Sequence, residues 1–60
     1  MVGKRVRYTP AATAGMMCPE RATKERGLCV GLEAGIAWVV WAHAYAPIWE
    51  IASELQLAED

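Results

Sequence analysis

Cysteine is scarce in this chain: only Cys18 and Cys29 are present, eleven positions apart. That excludes the dense disulfide framework of small secreted domains. Two free thiols in a reducing cytoplasm are the simpler reading, with a single disulfide left open. Adding the only histidine, His43, makes three potential zinc donors. The spacing between the cysteines matches no ligand pair brought together by a tight turn, so no metal is expected. An excess of charge of one sign is missing too. Six Lys and Arg stand against seven Asp and Glu, a net charge of −1 with no long block of like charge. That argues against a general polyanion binder driven by phosphate neutralisation. No apolar stretch follows the basic residues of the opening M-V-G-K-R-V-R-Y-T, so a cleaved signal peptide is not expected.

Length is limiting as well. Sixty residues make one domain, 1–60, and a chain of this size buries only about 60% of the surface its unfolded form exposes. Hydrophobic residues reach 55%, but eleven of them are alanines, which leaves few large side chains for a core. A two-lobed active site with its own supporting shell does not fit, so any catalysis would need several copies meeting at a symmetry axis; the chain is read as a non-enzyme without cofactors.

What is present is short alternation. Val2, Val6 and Tyr8 alternate with Arg5 and Arg7, the two-residue period of a half-buried strand. From Thr9 to Glu25 periodicity disappears among Pro10, Gly15, Pro19 and three threonines, which predicts a long loop over 9–25. Leu28, Val30 and Leu32 then share one strand face opposite Cys29, Gly31 and Glu33. Ala34-Gly35 is a two-residue turn candidate, and I-A-W-V-V-W at 36–41 is the return strand. A-H-A-Y-A reads as a connection. Ala46 to Ile51 follows as a fourth strand, with Pro47 at its start or on an edge. One helical turn at 52–54 and a closing strand at 55–57 complete the pattern, with 58–60 in solvent. The expected core is Val6, Leu28, Val30, Leu32, Leu55 and Leu57. Five short strands, a long loop after the first and a helical turn before the last predict an all-β, SH3-like barrel.

A membrane helix over 28–49 is the rival reading, because only Glu33 is charged there and glycines at 27, 31 and 35 repeat the G-x-x-x-G spacing. Glu33, Pro47 and His43 count against it. The uncharged remainder, 36–49, is also shorter than a bilayer crossing.

V-G-K-R-V-R-Y-T-P at 2–10, E-R-G-L-C-V-G-L at 25–32 and A-W-V-V-W at 37–41 resemble a group of small phage and prophage proteins. That resemblance implies a barrel, a host-cytoplasmic or virion location, and no particular chemistry. The opening Gly3-Lys4-Arg5-Val6-Arg7 and the segment from Ala46 to Leu55 also resemble the plasmid-borne type II dihydrofolate reductases. There the family's pore lysine falls on Tyr8, its glutamine on Pro47 and its tyrosine on Trp49, with Ile48 alone retained, so the reductase site is not carried over.

Three tryptophans are many for so small a core. Trp38 and Trp41 have opposite parity in one strand, so one of them faces outward. With Tyr45 and Trp49 they form a candidate aromatic surface for a partner chain or a planar ligand. Arg5 and Arg7 share the outer face of the first strand, and Arg21, Lys24 and Arg26 lie in or beside the loop. Guanidinium forks beside aromatics are suited to capturing a phosphate. The candidate binding residues are therefore Arg5, Arg7, Tyr8, Trp38, Trp41, Tyr45 and Trp49. His43 has no nucleophile paired with it, and Met16-Met17 is a smaller contact candidate. The functional expectation is a phage or mobile-element accessory protein, a protein-interaction module that self-associates. Its alternative is a nucleotide- or small-ligand-binding antagonist of host defence, with a nucleic-acid partner disfavoured by the charge balance.

Overall fold

A computed structural model describes residues 1–59; the end of the 58–60 segment, at position 60, lies outside the described residues. Five strands form one antiparallel sheet: β1 (Arg5–Tyr8), β2 (Gly27–Glu33), β3 (Ile36–Trp41), β4 (Ile48–Ile51) and β5 (Leu55–Leu57). Their spatial order is β4-β3-β2-β1-β5. The β2–β3 hairpin turns at Ala34-Gly35, where both residues have positive φ, 51° and 81°, the pattern of the tight turns that match strand twist. β4 begins directly after Pro47, whose missing N–H is harmless at a strand start.

The expected barrel does not form. β4 and β5 sit on opposite edges of the sheet, no ladder joins them, and the sheet stays open. The 3-10 turn Ala52–Glu54 between them is pinned elsewhere: Ala52 donates its N–H to the Gly35 carbonyl at 2.9 Å, and Glu54 accepts from the Thr9 N–H at 2.9 Å. Those bonds tie the turn to the hairpin tip and to the end of β1, so the chain curls without sealing the edges.

The predicted loop over 9–25 is not a plain loop either. It contains α1 (Pro10–Ala14) and α2 (Pro19–Lys24). Thr9 caps α1, its side chain accepting from the Ala12 N–H at 3.2 Å, and proline opens each helix, where its fixed φ fits and its missing N–H costs nothing. The first strand is shorter than expected, because Lys4 donates back to Met1 in a turn through Gly3 at φ 79° and leaves Val2 exposed. The membrane-helix alternative is overturned as well. Residues 28–49 make most of β2, all of β3 and the start of β4, and among the described residues no helix is long and apolar enough to cross a membrane.

The core faces the opposite way from expectation on β2. Val6 and Leu55 are buried as expected, but Leu28, Val30, Leu32 and Leu57 are exposed, and the core is completed by Cys29, Ala37, Val39 and Trp41. The reason is volume. A Cβ added at Gly27 would lie 2.5 Å from Val39 and 2.9 Å from the Trp41 indole. Trp41 and Val39 need an opposing strand of small residues, which 27 and 29 supply and 28 and 30 do not. A bulge between Cys29 and Gly31 then places Gly31 opposite Trp38, so the alternation of β2 is broken along its length.

Candidate functional site

Two surfaces on opposite faces of the sheet collect the candidate residues other than Tyr45. On the outer face Leu28 pairs with Val40, Trp38 with Trp49, and Ile36 with Ile51. Directly opposed residues of antiparallel strands share a face, so these side chains and Val30 form one apolar area across three strands. Trp38 is 43% exposed and Trp49 60%, and Leu28, Val30 and Ile51 are exposed beside them. The Trp38 indole lies over Gly31 on β2, where an added Cβ would be in ordinary van der Waals contact with the ring at 3.4 Å. Charge is confined to the margins. Arg5 pairs with Leu28 at one end, Glu33 with Ile36 at the other, and Arg7 with Gln56 on the far side.

The inner face carries an open groove of about 450 Å³ between α2 and the sheet. Tyr8 and Trp41 stand in its wall with their rings stacked at a centroid distance of 4.6 Å and 26° between planes. One carboxylate oxygen of Glu50, Oε2, accepts from both the Tyr8 hydroxyl at 2.8 Å and the Trp41 Nε1–H at 3.0 Å. Burial pushes the Tyr8 phenol well above its ordinary pKa, and its hydrogen bond and repulsion from Glu50, with Glu25 and Glu54, add to the rise. The ring therefore stays protonated and polar only at its hydroxyl, so the groove meets mostly carbon: the Tyr8 and Trp41 rings, Met16, Ala22 and Ala44, with Cys18, Arg21, Glu25 and His43 around them. A second hollow of about 360 Å³ adjoins it, sharing Arg21, Glu25 and His43 and adding Arg5, Lys24, Arg26 and Ala42.

Set against the sequence, the candidate aromatics divide. Trp38 and Trp49 come together on the outer face with Arg5 and Arg7 at its margin. Tyr8 and Trp41 come together on the inner face, and Trp41, at 7% exposure, belongs to the core as well as to the groove. Tyr45 joins neither set and is fully exposed in the β3–β4 connection. Met16 lines the groove while Met17 points into solvent. Glu50 is the residue that sequence reasoning missed, because a lone glutamate in a strand gives no sign that two ring donors from β1 and β3 converge on it. The α2 wall was also missed, although Cys18-Pro19, like Thr9-Pro10, is a helix-start signal. Cys18 is exposed, Cys29 is buried with its thiol donating to the Gly31 carbonyl at 3.4 Å, and they are not bonded to each other. Among the described residues no group of three or more His, Cys, Asp or Glu is placed to hold a metal ion.

No family model, curated protein or solved structure matches this chain. With the sheet open, the expected kinship to small phage and prophage barrels and to type II dihydrofolate reductases is not upheld. The class that fold and surfaces define is a small open antiparallel sheet with two short helices over one face.

Proposed function

We propose that the protein acts by binding, as an interaction module that pairs with a second copy of itself through the outer face of the sheet. The observation that supports this reading is the continuous apolar area centred on the Trp38–Trp49 pair. With Leu28, Val30, Ile36, Val40 and Ile51 it offers on the order of 500 Å² per copy, so two copies bury about 1,000 Å², the lower bound for a specific interface. An apolar area of this size is comparable to the largest that monomers expose, and such patches are often functional.

Charge placement favours a second copy over an unrelated partner. A two-fold axis in the plane of the face, along the Trp38–Trp49 row, lays the Arg5–Leu28–Val40 row of one copy against the Glu33–Ile36–Ile51 row of the other. Arginine at one end then approaches glutamate at the other, twice by symmetry. Analytical ultracentrifugation across concentrations tests this. The parent is expected to associate reversibly. Trp49→Lys should be monomeric with an unchanged circular dichroism spectrum, and Arg5→Glu should weaken association in a way that Arg5→Glu combined with Glu33→Arg restores. A parent that is monomeric at every concentration refutes the proposal.

A further inference from the structure

We infer that the inner groove is a ligand site for a flat aromatic ring joined to a phosphate, the chemistry of a nucleoside monophosphate. Its volume of about 450 Å³ falls within the range of roughly 300–1,000 Å³ typical of small-molecule sites. The aromatic half of the argument comes from Glu50. Because it takes up the polar atoms of both rings at 2.8 and 3.0 Å, what the pair offers the groove is carbon, mainly from the half-buried Tyr8, with Trp41 stacked on it and only 7% exposed. The bonds also hold the two rings in place, so the wall is rigid before a ligand arrives. Ala22 on α2 and Ala44 after β3 keep the facing sides shallow, leaving room for a ring that a larger side chain would fill.

The phosphate half comes from charge. The chain carries a net charge of −1, yet four of its six Lys and Arg residues line the hollow that continues from the groove, together with His43 and a single carboxylate, Glu25. Arg26 there is engaged by the Thr23 and Glu25 carbonyls at 2.8 and 2.9 Å, and Arg5 belongs to β1 at the margin of the outer face, so Arg21 and Lys24 on α2 are the groups assigned to the anion. Arg21 lines both hollows, so one ligand can touch the aromatic wall and a guanidinium together. A general polyanion binder spreads its charge over a surface. Here it is focused beside one apolar groove, which suits a small ligand with a ring at one end and an anion at the other.

The test is a nuclear magnetic resonance titration of the ¹⁵N-labelled protein with adenosine monophosphate, guanosine monophosphate, adenosine and inorganic phosphate. The assigned Trp41 indole N–H and the amides of Ala22 and Ala44 are followed. At least one monophosphate is expected to move all three signals saturably, with adenosine and phosphate alone each weaker by about tenfold or more. Arg21→Ala and Lys24→Ala, both exposed positions, should weaken the monophosphate by about tenfold while leaving adenosine unchanged. Ala22→Trp, which fills the groove from the helix side, should abolish binding with the rest of the spectrum retained. The inference is overturned by unmoved groove signals, by phosphate binding as tightly as the monophosphates with the Trp41 indole still, or by undiminished binding in Ala22→Trp. Running the same titration on Trp49→Lys separates this site from the outer face, because the groove does not depend on association.

Discussion

At the scale of single residues, Tyr8 and Glu50 carry the most consequence. They are forty-two positions apart, and the bond between them at 2.8 Å joins β1 to β4, strands that are not neighbours in the sheet. A protonated phenol is required for that bond, and the folded state holds the phenol's pKa above its ordinary value through burial and the nearby carboxylates. The sign for stability follows. Below about pH 10, the ordinary tyrosine pKa, both folded and unfolded chains keep the proton and the contribution is complete. Above it the unfolded chain ionises while the folded chain does not, so stability falls. Tyr8→Phe is expected to be less stable than the parent at neutral pH by about 1.5–3 kcal/mol, the range for a bond to a charged acceptor, tending to the lower end at a half-buried site. The gap should narrow above about pH 10. Thermal melts of both proteins from neutral pH upward check it, and a gap of constant size through that range would contradict the account.

Elements show how local signals compete. The β2–β3 turn was legible because Gly35 follows Ala34 between two apolar runs, yet Ala34 itself sits at φ 51°, a conformation that opposes a Cβ. Ala34→Gly should therefore stabilise the protein by up to about 1 kcal/mol, the relief of left-handed strain exceeding the added freedom of the unfolded chain. Chemical denaturation reads this directly, and a loss of stability would mean that the alanine is at ease in the turn. The two short helices were hidden for a different reason. Five and six residues are too few for an amphipathic stripe to register, so only the Thr-Pro and Cys-Pro starts announced them. β2 misled because alternation identifies two faces and not which one is inside. The more apolar face of that strand points outward, since Val39 and Trp41 occupy the space over Gly27.

For the molecule as a whole, that inversion links fold to function. A sheet whose small residues face the core necessarily turns Leu28, Val30, Trp38 and Trp49 outward, so the surface proposed for self-association is a by-product of how the core accepts a tryptophan. If pairing occurs there, the melting temperature should rise with protein concentration, because association stabilises only the folded chain. Val30→Asp should remove the concentration dependence and keep a cooperative melt at low concentration. A buried valine at that position would instead leave an unpaired charge in a small core and no folded state. Calorimetry of both proteins at several concentrations distinguishes the two.

Local chemistry was enough to place five strands, the hairpin turn, the single helical turn before β5 and the outward direction of one of Trp38 and Trp41, because parity, turn residues and proline are properties of neighbouring positions. It was also enough to set the cysteines apart from a disulfide framework. Whether the edges β4 and β5 meet depended on where the Ala52–Glu54 turn finds its hydrogen bonds, Gly35 and Thr9, which are remote in sequence. The inward face of β2 depended on the bulk of residues in β3, and the groove on Glu50 drawing together rings from two other strands. Each of these is a contest for volume or for a hydrogen-bond partner between distant segments, and only the folded chain decides it.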